Sequence, residues 1–175
     1  EAFYQRGEIS DEDMDAIHSL AHHQSADRVR EIEQETDHDV VAFCRAVCER
    51  IGHPAARHFH RGLTSSDVVD TALAMAMVES LDQILGRIEE ALTVVAKRAR
   101  EFKHTLCMGR THGIHAEPTT FGIRLAGWYT ELTRARTRLE QTKEGIAFGK
   151  VSGAVGTFSQ TDPDFEAFVM QRLGL

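Results

Sequence analysis

Residues 66–103 read SDVVDTALAMAMVESLDQILGRIEEALTVVAKRAREFK, and the order of apolar residues in this stretch decides the fold. Val78, Leu81, Leu85, Ile88, Leu92, Val95, Ala99 and Phe102 follow one another in steps of three and four. That is a heptad seam, which keeps one stripe of a helix apolar over many turns. At about 1.5 Å per residue, a helix over 66–103 is roughly 57 Å long. A helix of that length needs neighbours of similar length, so the pattern predicts a bundle. Gly86 is only a local weak point in it.

The same spacing returns downstream. Phe121, Leu125, Trp128, Leu132, Ala135, Leu139, Thr142 and Ile146 alternate steps of four and three, with Pro118 suited to the first turn of that helix. Between the two seams, 105–117 reads as a loop. Gly145, Gly149, Gly153 and Gly156 open a further loop that lasts to Pro163, after which a short terminal helix begins. Upstream, Ser10 looks like an N-cap ahead of acidic residues, with helix-compatible sequence to about Arg30. A helix from about His38 to Ile51 places Val40, Cys44, Val47, Cys48 and Ile51 on one face and ends at Gly52-His53-Pro54. The segment 58–67 has no period and reads as a loop ending in a helix cap. The expected fold is all-α: a small N-terminal helical domain over 1–65, then the first long helices of a bundle over 66–175. Two facing seams cover only part of their apolar surface. Further helices, or further copies of the chain, are expected to cover the rest.

Composition narrows the function. The 175 residues carry 20 Lys and Arg against 27 Asp and Glu, a net charge of −7, which excludes nucleic-acid binding through a bulk basic face. A single pocket for a small phosphorylated molecule remains open. No apolar run is long enough to span a bilayer, and no basic-then-apolar leader is present, so no membrane partner is expected. Three cysteines without a CxxC pair fit a reducing compartment. Glu at position 1 and a helix that stops at Gly174-Leu175 mark the chain as an expected piece of a longer protein.

The ten histidines fall into groups. His18, His22 and His23 lie on the acidic N-terminal helix, where a solvated face is favoured over a metal pair. His53 and His104 read as structural or exposed. His38, His58, His60, His112 and His115 sit beside loops and small hydroxyl residues, where rigid helices present reactive groups. Thr64-Ser65-Ser66-Asp67 offers hydroxyls and helix-start amides, either as an anion cradle or as a plain N-cap. Gly109-Arg110-Thr111-His112-Gly113-Ile114-His115 gathers a guanidinium, a hydroxyl and two imidazoles, a set fit for anion binding and acid–base work. The competing motifs fail. Gly145–Val151 is one residue short of a phosphate loop and lacks its Ser or Thr. Two Glu-x-x-His sequences, at Glu35–His38 and Glu101–His104, raise a di-iron bundle, but the seam turns Glu101 and His104 away from the interior. No metal is expected from these motifs.

Four blocks carry a resemblance: Thr36–Phe43, His60–Ala72, Gly109–Gly122 and Gly149–Thr157. In this order and spacing they resemble the adenylosuccinate lyases of the fumarase/aspartase superfamily, over essentially the whole chain. The resemblance implies a cytoplasmic homotetramer. It also implies a cofactor-free β-elimination of fumarate from adenylosuccinate, giving AMP, and from the succinyl-carboxamide ribotide of purine synthesis. It assigns His112 as the general acid. Asp37, His38 and Asp39 become a substrate-contacting loop, Thr64 and Ser65 substrate-binding hydroxyls, His60 a second site histidine, and Thr111 a further substrate contact. The family's catalytic base serine, on a flexible loop, has no counterpart within these residues, so the chain alone is expected to be inactive. The alternative is a non-catalytic helical scaffold for oligomerisation.

Overall fold

The computed structural model describes residues 1–20 and 25–175; His22 and His23 lie outside them. The elements in chain order are α1 (Ala2–Gln5), α2 (Asp11–Leu20), α3 (Ala26–Thr36), α4 (Asp39–Ile51), a 3-10 turn (Pro54–His58), α5 (Ser65–Glu101), β1 (Leu106–Thr111), β2 (Ile114–Thr120), α6 (Phe121–Ile146) and α7 (Pro163–Leu173). The chain is predominantly helical, as the seams predict, with one two-stranded sheet added. It divides into two compact units, residues 1–74 with 148–175, and residues 75–147.

In the first unit, side chains set the helix ends. Ser10 Oγ accepts from Asp13 N at 3.2 Å, so the predicted cap is present. Ser25 caps α3, and Asp37 ends it in the left-handed region. The expected face of α4 buries Val40, Val47 and Ile51, with Cys44 and Cys48 half-buried. Ala42 and Ala46 let α4 close on Ile32 of α3, and all three are buried. A second core joins the two ends of the unit: Ala2, Val151 and Phe165 are buried together, with Phe3, Leu63 and Phe168 against them. Asp162 caps α7 and accepts two hydrogen bonds from Arg6, each 2.7 Å.

The second unit is a helical pair linked by a hairpin. Along α5, Leu81 and Leu92 are buried, and Val78, Leu85, Ile88, Val95, Ala99 and Phe102 are half-buried, which is the predicted seam. α6 runs antiparallel to α5. Phe121 stacks on Phe102 with ring centres 5.4 Å apart, Arg136 donates to Glu89 at 2.5 Å, and Lys143 pairs with Asp82.

The loop expected over 105–117, and the helix start expected at Pro118, need correction. Leu106–Thr111 and Ile114–Thr120 form an antiparallel ribbon, and α6 starts at Phe121. His112 and Gly113 have φ of 50° and 77°, the two positive values that a two-residue I′ hairpin turn requires. Pro118 pairs with Met108 on the ribbon, where a strand without further neighbours tolerates a missing N–H. Thr120 takes over as N-cap, its Oγ1 accepting from Ile123 N at 3.3 Å.

Candidate functional site

Within the first unit, three of the residues singled out in the sequence lie at one junction. Asp37 closes α3, donating its N–H to Glu33 O at 2.9 Å, with φ 50°. His38 follows as the N-cap of α4, and its Nδ1 accepts from Val41 N at 3.4 Å. The other ring nitrogen, Nε2, lies 3.4 Å from Ser65 Oγ. His38 and Ser65, far apart in sequence, are therefore neighbours. Asp39 turns back to its own helix, accepting from Val40 N at 2.7 Å, and is exposed.

Thr64 and Ser65 open α5. Thr64 N donates to Asp67 Oδ2 at 2.9 Å. The Asp67 side chain is fully buried and also takes a 2.6 Å bond from Lys150 Nζ. Burial pushes this carboxyl upward, but Lys150 and the amides of Thr64 and Gly153 outweigh it and hold it below the usual aspartate range. His60 precedes this turn with φ 61°. His58 is held separately: its Nε2 shares a 3.1 Å hydrogen bond with buried Asp13, which also accepts from Arg57 at 2.7 Å. Asp37, His60, His112 and Phe158 have left-handed backbone, which at Asp37 ends α3 and at His112 makes the hairpin turn.

In the second unit, Thr111 and His112 stand at the exposed end of the ribbon. Arg110 pairs directly with His115, so a guanidinium and an imidazole lie side by side across the strands. The hairpin thus presents Arg110, Thr111, His112 and His115 to solvent from a short, defined scaffold. Glu101 and His104 are exposed, as the seam requires, and among the described residues no cluster has the make-up of a metal site.

The sequence reading missed Asp67 as an organising group and left Lys150 without a role. In the sequence Asp67 reads equally as part of an anion cradle and as a plain cap. Its position three residues after Thr64, at the head of a long helix, was the available signal.

The family profile described as Lyase matches residues 2–175. The chain is 49% identical over all 175 residues to an adenylosuccinate lyase of Staphylococcus saprophyticus, and 46% identical over the same length to one of Bacillus subtilis. An adenylosuccinate lyase of Synechocystis sp. is 52% identical over 148 residues, 85% of this chain and 34% of that protein. The chain spans about 40% of the length of the first two. Among solved structures, a fumarate lyase from Mesorhizobium sp. BNC1 superposes with TM-score 0.88 at 26% identity, covering 99% of this chain and 42% of that one. A 3-carboxy-cis,cis-muconate lactonizing enzyme from Pseudomonas putida shares the fold with TM-score 0.90 at 24% identity, covering 99% of this chain and 41% of that one. Matched from residue 2 to its last residue, the chain belongs to the lyase family of the fumarase/aspartase superfamily, in which adenylosuccinate lyases are its relatives at about half identity.

Proposed function

We propose that this chain supplies the acid side and the substrate-holding loops of an adenylosuccinate lyase. The whole protein removes fumarate from adenylosuccinate to leave AMP, and from the succinyl-carboxamide ribotide by the same chemistry. A base takes a proton from the carbon next to a carboxylate, and the electron pair forms the new C=C bond. The C–N bond breaks, and His112 gives its proton to the departing nitrogen. The base lies outside these 175 residues. Asp37, His38, Asp39, His60, Thr64, Ser65 and Thr111 hold the substrate. No metal or organic cofactor takes part.

The observation that carries this reading is identity of 49% and 46% to two adenylosuccinate lyases along the entire chain. A cytoplasmic homotetramer follows from the same resemblance. Association of copies is supported by apolar side chains standing in solvent on α5 and α6, with Leu73 and Val94 each 58% exposed, Ile123 64% and Trp128 55%.

The test follows fumarate release by absorbance in three proteins: this chain, the chain extended to the length of its relatives, and the extended His112→Asn variant. Asn tolerates the positive φ at this position, so the turn survives while the acid is lost. Removal of a general acid costs about 10²–10⁴ in rate. Full activity of the 175-residue chain rejects the missing base, and near-normal turnover in the variant rejects the role of His112. Sedimentation of the extended protein as a folded monomer rejects the oligomer.

A further inference from the structure

The segment after α6 is tied to the first two turns of α5 by an unusually complete set of contacts. The buried Asp67 carboxylate accepts from Lys150 Nζ at 2.6 Å, Ser152 N at 3.2 Å, Gly153 N at 3.2 Å and Thr64 N at 2.9 Å. One turn further on, Thr71 Oγ1 donates to Lys150 O at 3.1 Å and accepts from Lys150 N at 3.0 Å. Gly149 fits so closely that a Cβ there would stand 2.6 Å from Met170 Sδ and 2.7 Å from Thr71 Cγ2. Val151 is fixed on both sides: its N–H donates to Glu166 at 2.7 Å, and its carbonyl accepts from Thr161 at 2.9 Å. A carboxylate taken fully out of water is tolerated only when its lone pairs are met and its charge is paired. Here both conditions hold, and one of the bonds sets the backbone of Thr64.

The location makes the pairing consequential. Helix-start amides and hydroxyls attract an anion, whereas an unpaired carboxylate in the same turn would repel it. Lys150 cancels that charge from the side of the glycine-rich segment. We propose that Asp67 and Lys150 are positioning residues for the substrate: their ion pair holds Thr64 and Ser65 at the head of α5 and removes the carboxylate's charge, so that this turn receives an anionic end of the substrate. This rests on the function proposed above. Both a carboxylate and a phosphate group have the chemistry required, and the two products carry one kind each.

In the protein extended to the length of its relatives, inhibition by fumarate and by AMP is measured for wild type, Lys150→Met, Lys150→Arg and the Asp67→Asn/Lys150→Met double variant. Lys150→Met leaves the Asp67 charge unpaired. It is expected to weaken one of the two inhibitors by roughly tenfold or more, the scale of one charge-assisted hydrogen bond, and to leave the other near its wild-type value. Loss for fumarate identifies a carboxylate at this turn, and loss for AMP a phosphate. Lys150→Arg keeps the charge and stays near wild type. The double variant removes both charges and recovers a large part of the loss. Unchanged inhibition in Lys150→Met, an equal loss for both inhibitors, or no recovery in the double variant overturns the proposal. Hydrogen exchange at the Thr64 amide is read in parallel in Asp67→Ala, without any need for turnover. Faster exchange there is expected, and unchanged protection overturns the clamp even in an active enzyme. A wild-type protein that exchanges as expected but releases no fumarate defeats the proposed function instead.

Discussion

Ser65 Oγ lies 3.4 Å from Nε2 of His38, across 27 residues of sequence. Nδ1 faces two groups, the Val41 N–H at 3.4 Å and the Asp39 carboxylate at 3.3 Å. One imidazole thus caps α4 and orients a hydroxyl at the head of α5.

The two roles separate by mutation. Ser65→Ala removes only the contact: the melting temperature is expected to hold while KM of the extended enzyme rises. His38→Ala removes the cap as well, at a cost of about 1 kcal/mol in stability. His38→Asn restores the cap but not the contact, so it should recover the melting temperature and leave KM raised. Melting curves and initial rates on the three variants check this, and a KM restored by Asn rejects the contact.

Glycine-to-alanine changes in α6 should split in sign. Gly127 has open space around it, so Gly127→Ala is expected to stabilise by about 0.5–1 kcal/mol through helix propensity. At Gly122 a Cβ would stand 2.5 Å from Ala99 O and 2.7 Å from Lys103 Cα, backbone atoms that cannot swing aside. Gly122→Ala should therefore destabilise, by about 1–3 kcal/mol for overpacking. Denaturant unfolding of both variants measures the difference, and equal shifts would disprove the close approach of α5 and α6 at this point.

The long helices were legible because a heptad seam is a one-dimensional signal: Val78 to Phe102 needs no partner to be recognised. The caps at Ser10 and Gly52 were legible for the same reason, each being a local residue choice. The hairpin was not. Gly109-Arg110-Thr111-His112-Gly113 has no alternating apolar pattern, and its turn starts with His rather than the Asn or Asp that advertises a I′ turn. Pro118 then drew the helix start three residues too early, because a proline that suits a first helical turn also suits an unpaired strand edge. The Asp67–Lys150 pair was beyond reading from sequence altogether. Its two residues are 83 positions apart, and only the folded chain shows that the carboxylate is buried.

Acid should act on the first unit through Asp162. Arg6 donates two 2.7 Å hydrogen bonds to this carboxylate and, with the Phe165 amide, holds its pKa at about 2 against a usual 3.8. A depressed folded value means that the pair contributes stability above the ordinary aspartate range. That contribution fades as pH falls below 3.8 and is gone once the folded carboxyl is protonated near 2. Both side chains are partly exposed, so added salt should shrink the effect. An NMR titration of the Asp162 carboxyl should show a midpoint near 2. Arg6→Ala should move that midpoint up toward the ordinary value, and an unmoved midpoint rejects the ion pair as its cause.

The hairpin turn gives a way to disturb His112 without touching its ring. Gly113 has φ 77° and nothing within 4 Å of a would-be Cβ, so Gly113→Ala meets no clash, only the left-handed penalty of about 1–2 kcal/mol. Gly7 has φ 73° and the same open surroundings, so Gly7→Ala carries a matching penalty at a site far in sequence from the hairpin. A ribbon of two strands has little stability of its own to absorb such a cost, and the turn that pays it also aims the imidazole. In the extended enzyme, Gly113→Ala should therefore lower kcat severalfold with a smaller rise in KM, because of the residues proposed to hold the substrate only Thr111 stands on this hairpin. Gly7→Ala should show a comparable loss in unfolding free energy and unchanged kcat. Steady-state rates and denaturant curves on the two variants decide the matter. Equal kcat in both would mean that the geometry of the turn does not set the position of the acid, and a rise in KM alone for Gly113→Ala would move the hairpin from proton transfer to substrate binding.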